Sequence, residues 1–164
     1  MSHQELPHSF KLLTIWLLVG LVVFLGFKAW ERERAASRFQ LAGQTVVLTR
    51  ADDGHFHWPG RVGDIEVDFL VDTGATDIVL GRSDARRAGL DPASLAFTGR
   101  AVTANGTVAT ASVRIDRLEF GPIALRNVPA SVTDGSFDGS LLGMRFLSRF
   151  GRIEIEGDRM RLTH

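Results

Sequence analysis

Hydrophobic patterning divides the chain in two. Leu12 to Phe27 reads LLTIWLLVGLVVFLGF, with no charge and no polar stripe. As a helix this run spans roughly 24 Å, against the ~30 Å hydrocarbon core of a bilayer. Phe10, Trp16, Ala29 and Trp30 extend its apolar reach, and Lys11 and Lys28 are placed to snorkel. A core helix this apolar on every side would need more protein around it than the remaining chain supplies. A signal peptide would close on small residues. This run closes on Phe-Lys-Ala-Trp, and Ala35-Ala36-Ser37 comes only after further charges. The pattern predicts an N-terminal tail over 1–11 and an uncleaved transmembrane anchor over 12–30. Glu31 to Ala42 is rich in helix formers, which predicts a polar stalk over 31–44 that continues the helix to Gly43.

From Thr45 the period changes. TVVLT (45–49), HFHWPGRV (55–62), IEVDFLV (65–71) and DIVLG (77–81) are short β-rich segments separated by turn signals. Asn105-Gly106 lies between AVTA and TVATASVRI, a strong hairpin signal. LEFGPIALRNVPASV reads as two strands around Gly121-Pro122, and RIEIEGDRMRLTH as a hairpin over Gly157-Asp158. Two short helices are predicted: one capped by Ser83 and ended by Gly89, the other over Met144 to Arg149. Strands this numerous and evenly spaced predict an all-β closed barrel over 45–164.

Composition narrows the chemistry. The 164 residues carry 19 basic and 19 acidic side chains, and no basic stripe is interleaved with aromatics, so nothing points to nucleic acid. With no cysteine, disulfides, thiolate metal sites and a cysteine nucleophile are excluded.

The informative segment is FLVDTGATDIVL (69–80). An apolar strand delivers Asp72 to a tight turn. Gly74 lets the backbone approach closely, the Thr73 hydroxyl can lock the turn, and Ala75 begins the exit. Asp-Thr-Gly alone is also ordinary turn chemistry. The context is more specific. Thr103-Ala104-Asn105-Gly106-Thr107 has the form of a flap hairpin downstream, and Ser140-Leu141-Leu142-Gly143 that of an apolar element ending in glycine. In order and spacing these segments resemble the retropepsin-like aspartic proteases, over roughly Thr45 to the C-terminus. GHFHWPGRVGDIEVDFLVDTGAT and LLGMRFL resemble the bacterial membrane-anchored branch of that family.

The resemblance implies a retropepsin-like single-lobe barrel with Asp72 as catalytic carboxylate, and Thr73, Gly74 and Ala75 supporting its loop. It implies a flap at 103–107 that binds substrate, and Leu141, Leu142 and Gly143 passing behind the loop. One departure stands out. The retroviral enzymes pair an Arg after the rear glycine with an Asp four residues past the catalytic one. Those positions here hold Met144 and Thr76, and Arg145 or Asp77 could take over the pairing.

With one Asp-Thr-Gly and no Asp-Ser-Gly, two chains are expected to meet about a two-fold axis, each supplying one Asp72. Two carboxylates sharing one proton is the established chemistry of aspartic proteases as a class. It needs a water and a polypeptide substrate but no metal or other cofactor. The competing reading is an inactive membrane-tethered barrel that binds peptides or dimerises; a processing enzyme with a single native partner is a third.

Other groups carry less. His55 and His57 share a strand face but show no third metal ligand, and read as an exposed pair. No G-x-S-x-G is present. Asp134 and Asp138 lack EF-hand spacing, and Trp58 reads as core. Orientation in the membrane is contested. Lys28, Arg32, Arg34 and Arg38 after the apolar run favour a cytoplasmic barrel by the positive-inside rule. The family resemblance instead implies a bacterial inner-membrane protein with its barrel on the periplasmic side.

Overall fold

The computed structural model describes residues 8–37, 39–42, 45–103, 106–135 and 139–164. It divides into two compact units, Met1–Ser37 and Arg38–His164. In the first, α1 (His8–Ser37) is one continuous helix. Its Leu12–Trp30 segment, 19 residues of mean hydropathy 2.3, is long and apolar enough to cross a membrane, and none of it is buried in the structure.

The second unit is built from strands. After β1 (Phe39–Ala42) come β2 (Thr45–Thr49), β3 (His57–Val62), β4 (Ile65–Val71) and β5 (Ile78–Leu80). A short helix α2 (Arg82–Arg87) precedes β6 (Gly99–Thr103), β7 (Gly106–Phe120) and β8 (Ile123–Thr133). Then follow β9 (Ser140–Leu142), α3 (Met144–Leu147), β10 (Arg152–Glu156) and β11 (Arg159–Thr163).

Strands β3-β4-β9-β5-β8-β7 lie side by side, and β3 pairs again with β7 through Arg61↔Glu119 and Val62↔Leu118. That second pairing closes a six-stranded barrel, as the strand pattern predicts. Gly60 permits the closure: a Cβ there would press on the Phe120 ring and the Glu119 carbonyl. Strand β6 extends the sheet beyond β7. The remaining strands form a separate sheet, in the order β1-β2-β11-β10.

The core is aromatic. Trp58 is fully buried, with ring centroids 5.1 Å from Phe120 and 5.5 Å from Phe146. Phe69, delivered by β4, stacks edge-on to Phe120 at 5.2 Å. Burying each such ring stabilises the fold by roughly 1.5–3 kcal/mol. Val46, Leu48, Met160 and Leu162 of the four-stranded sheet join the same cluster.

Three local expectations change. The first helix stops at Ser37, because Phe39–Ala42 pairs antiparallel with Thr45–Leu48; a strand ladder there overrides helix propensity. The second helix starts two residues earlier than a Ser83 cap would set, with Gly81 at its N-cap and no side-chain cap. Its end is as expected: Gly89 is left-handed at φ +83, Gly89 N–H donates to Arg86 and Leu90 N–H to Ala85. In the β6–β7 hairpin, Thr103 pairs with Gly106, so Gly106 begins a strand instead of centring the turn.

Candidate active site

Asp72 stands where β4 ends, partly buried. Strand β4 is parallel to β9, with Leu70 opposite Leu141 and Val71 opposite Leu142. The parallel ladder extends one step further, since Asp72 N–H donates to the Leu142 carbonyl at 3.2 Å. The carboxylate is then fixed from the front: Gly74 N–H donates to Asp72 Oδ1 at 2.8 Å, and Ala75 N–H to the Asp72 carbonyl at 3.2 Å. A charged acceptor on a main-chain donor makes one of the stronger hydrogen bonds available. Thr73 is exposed, and its hydroxyl has no partner among the described residues. Among the described residues of one chain, main-chain groups hold this turn.

Gly143 closes the back of the loop. Any Cβ there would run into the carbonyl oxygens of Asp77 and Ala75. Beyond it, Met144 N–H donates to Ala75 and Arg145 N–H to Thr76, both at 2.8 Å. The turn 72–76 is thus clamped by consecutive amides of the rear element. Arg145 adds a side-chain bond, with Nε 2.7 Å from Asp77 Oδ1. This pair is visible in the sequence only as two unassigned candidates.

A second clamp lies deeper. Asp84 of α2 is buried, accepts a 2.6 Å hydrogen bond from Ser140 Oγ and pairs with Arg87 at 2.6 Å. Ser140 Oγ in turn accepts from Gly81 N–H at 3.3 Å. This network ties α2 to β9 immediately ahead of the rear element. Sequence reasoning missed it, because a lone Asp and a lone Ser carry no spacing signal.

The structure brings Asp72–Ala75 together with Leu141–Gly143. Thr103, Gly106 and Thr107, the residues expected in a flap, sit exposed on the β6–β7 hairpin, where Thr103 Oγ1 donates to the Gly106 carbonyl at 2.8 Å. Ala104 and Asn105 lie outside the described residues, as does Asp138. Asp134 clamps β7 through a 2.9 Å bond from Ala109 N–H. His57 is an anchor within the barrel: Nε2 lies 2.8 Å from Asp53 Oδ2 and Nδ1 2.9 Å from Asp68 Oδ2, the latter close enough for an ion pair but not aligned as a hydrogen bond. The His55 backbone N–H, followed by His57, holds the Asp53 carboxyl below its ordinary value.

A closed six-stranded barrel with one carboxylate on a glycine turn, braced from behind by an apolar strand and a glycine, is the single-lobe acid-protease architecture. Residues 58–146 match the family described as aspartyl protease. The chain belongs to that family and is retropepsin-like. It is 35% identical to a retropepsin-like aspartic protease from Rickettsia conorii, whose crystal structure superposes with a TM-score of 0.67 over 74% of this chain and 100% of that one. The protease of EIAV, solved with the inhibitor HBY-793, shares the fold: 18% identity, TM-score 0.54, 66% of this chain and 100% of that one. An uncharacterised protein from the cobV 5′ region of a Sinorhizobium species is 35% identical over 98% of this chain and 76% of its own. An uncharacterised Rickettsia prowazekii protein is 30% identical over 99% and 75%.

Proposed function

We propose that this chain is an aspartic endopeptidase in which Asp72 of two copies form the catalytic pair. One observation carries the reading. The Asp72 carboxylate is fixed by Gly74 N–H, and its main chain by the parallel ladder to Leu142, on a turn clamped from behind by the Met144 and Arg145 amides. That is preorganisation of a single acid, and one barrel holds one such acid. Two carboxylates brought together cannot both ionise, so one activates water while the other donates to the scissile carbonyl. The flap at 103–107 covers an extended polypeptide substrate.

The Leu12–Trp30 helix, in this reading, is a single-pass anchor in a bacterial inner membrane, with residues 31–44 as connector and 45–164 as the protease domain on the periplasmic side. Its length and hydropathy support the anchor; a periplasm-only reporter fused after residue 44 tests the side.

The test of catalysis is Asp72→Asn in the full chain, assayed on an unstructured protein. The amide preserves the shape and cannot serve as base, so proteolysis is expected to fall at least about a thousandfold with an unchanged unfolding temperature. Activity within tenfold of wild type would remove Asp72 from the mechanism.

A further inference from the structure

A cavity of about 800 Å³ opens between β7, β8 and the α3 turn, and Asp72 does not line it. Its walls carry four guanidiniums, from Arg117, Arg126, Arg145 and Arg149, and one carboxylate, Glu119. Ile78, Val128 and Phe146 are buried beneath it.

The placement of these charges is unfavourable without an occupant. Arg117 and Arg126 face each other directly across the β7–β8 ladder, a position where like charges destabilise a sheet. Arg145 lies in α3 and Arg149 in the turn that follows it, and both line the same cavity. Arg117 is partly neutralised by Glu119 at 2.7 Å, and Arg145 by Asp77 at 2.7 Å. Among the described residues, Arg126 and Arg149 pair with no carboxylate. Four guanidiniums against two carboxylates leave two positive charges facing one cavity, in a chain whose formal net charge is zero.

We propose that this cavity binds a phosphomonoester-type dianion. Planar guanidinium forks match phosphate oxygens, and a tetrahedral anion can meet forks from both walls at once. A peptide is the poorer fit. Strand β8 pairs with β5 only at Ser131 and Val132, so among the described residues its edge along the cavity is open. The selection against a peptide comes instead from the two unneutralised guanidiniums, which uncharged main-chain groups would leave unpaired. The phosphate belongs either to an anionic lipid headgroup or to a free phosphate. Either source competes with Asp77 for Arg145, and so couples occupancy to the 72–76 turn.

The experiment is thermal unfolding of the full chain in neutral detergent, titrated with inorganic phosphate against sodium chloride of equal ionic strength. Wild type is expected to gain stability saturably with phosphate. Arg126→Gln and Arg149→Gln are expected to weaken the apparent affinity at least about tenfold, each 1.36 kcal/mol per decade, and to melt no lower than wild type without phosphate. Arg159→Gln, outside the cavity, is the control that retains the response. Reconstitution into phosphatidylcholine vesicles, with and without phosphatidic acid, separates the sources. If the lipid occupies the site, phosphatidic acid stabilises wild type and abolishes the phosphate response; if free phosphate does, the response persists in both. No phosphate effect beyond chloride, a wild-type response in both glutamine variants, or stabilisation only by a glutamate-rich peptide would overturn the proposal.

Discussion

Arg145 reaches Asp77 from the far side of the candidate catalytic turn, Nε to Oδ1 at 2.7 Å. Both partners sit one residue beyond the positions, Met144 and Thr76, that the retroviral pattern would use. Shifting both ends by the same step restores the link between rear element and loop. Arg145 also donates its backbone N–H to Thr76, so one residue holds the turn twice. Both side chains are about half exposed, so the ion pair itself contributes no more than about 1 kcal/mol. Its role is placement. Arg145→Gln and Asp77→Asn should each lower kcat by roughly ten- to a hundredfold with a small change in unfolding temperature. The double variant should lose little more than either single one. Additive losses in a double-mutant cycle would show that the two act separately.

Gly143 sets a steric limit on the same turn. With Gly143→Ala, the methyl meets the Asp77 and Ala75 carbonyls, and neither main-chain segment can yield without moving Asp72. A stability loss of about 1–3 kcal/mol is expected, with proteolysis lost beyond the unfolded fraction. A folded, fully active alanine variant would mean that the loop has slack the structure does not show.

A site shared between two chains, as proposed, would make activity depend on concentration. Specific activity of the detergent-solubilised chain should fall on dilution, and excess Asp72→Asn chain should poison wild type by forming mixed pairs. The membrane-inserted chain should stay active at dilutions where the solubilised one does not, because confinement raises effective concentration. Turnover per chain that is constant across a hundredfold dilution would argue for a complete site in one copy.

Asp53 supplies a pH signature. Its carboxyl is held below the ordinary 3.8, first by the His55 backbone N–H and then by His57. A depressed carboxyl stabilises the fold above its unfolded value, and that contribution disappears as pH falls through about 4 and below. Asp53→Asn should therefore flatten the decline in unfolding temperature between pH 5 and 3, while costing a little at pH 7. Parallel pH profiles for the two proteins would show that the Asp53–His57 contact does not persist in solution. Asp53 is mostly exposed, so the difference is expected to be small.

Much of this is legible in the residues alone. Alternation along Ile65–Val71 sets which side chains of β4 face inward, and with them where Asp72 emerges. Gly89, Gly121-Pro122 and Gly157-Asp158 fall in turns at element ends, as their chemistry requires. Failures come where distant pairing decides. Phe39–Ala42 has helix-forming residues and becomes a strand only because β2 lies beside it. The Arg145–Asp77 bond spans 68 positions of sequence, and the Ser140–Asp84 bond spans 56. The arginine cavity is assembled from a strand pair and a turn, none of which is notably basic alone.

The sheet that gathers both ends of the barrel unit has a further consequence. Strand β11 finds both neighbours, β2 and β10, within its own chain. Among the described residues that strand's ladder is complete within one copy, so pairing of two copies need not open it, and the sheet's free edges lie on β1 and β10. A pair that assembles from finished parts can form and part repeatedly at the pace of lateral diffusion. At low surface density the rate of proteolysis would then rise with the square of the number of chains per unit area. Expression level alone would set a threshold below which the chain is present, folded and silent.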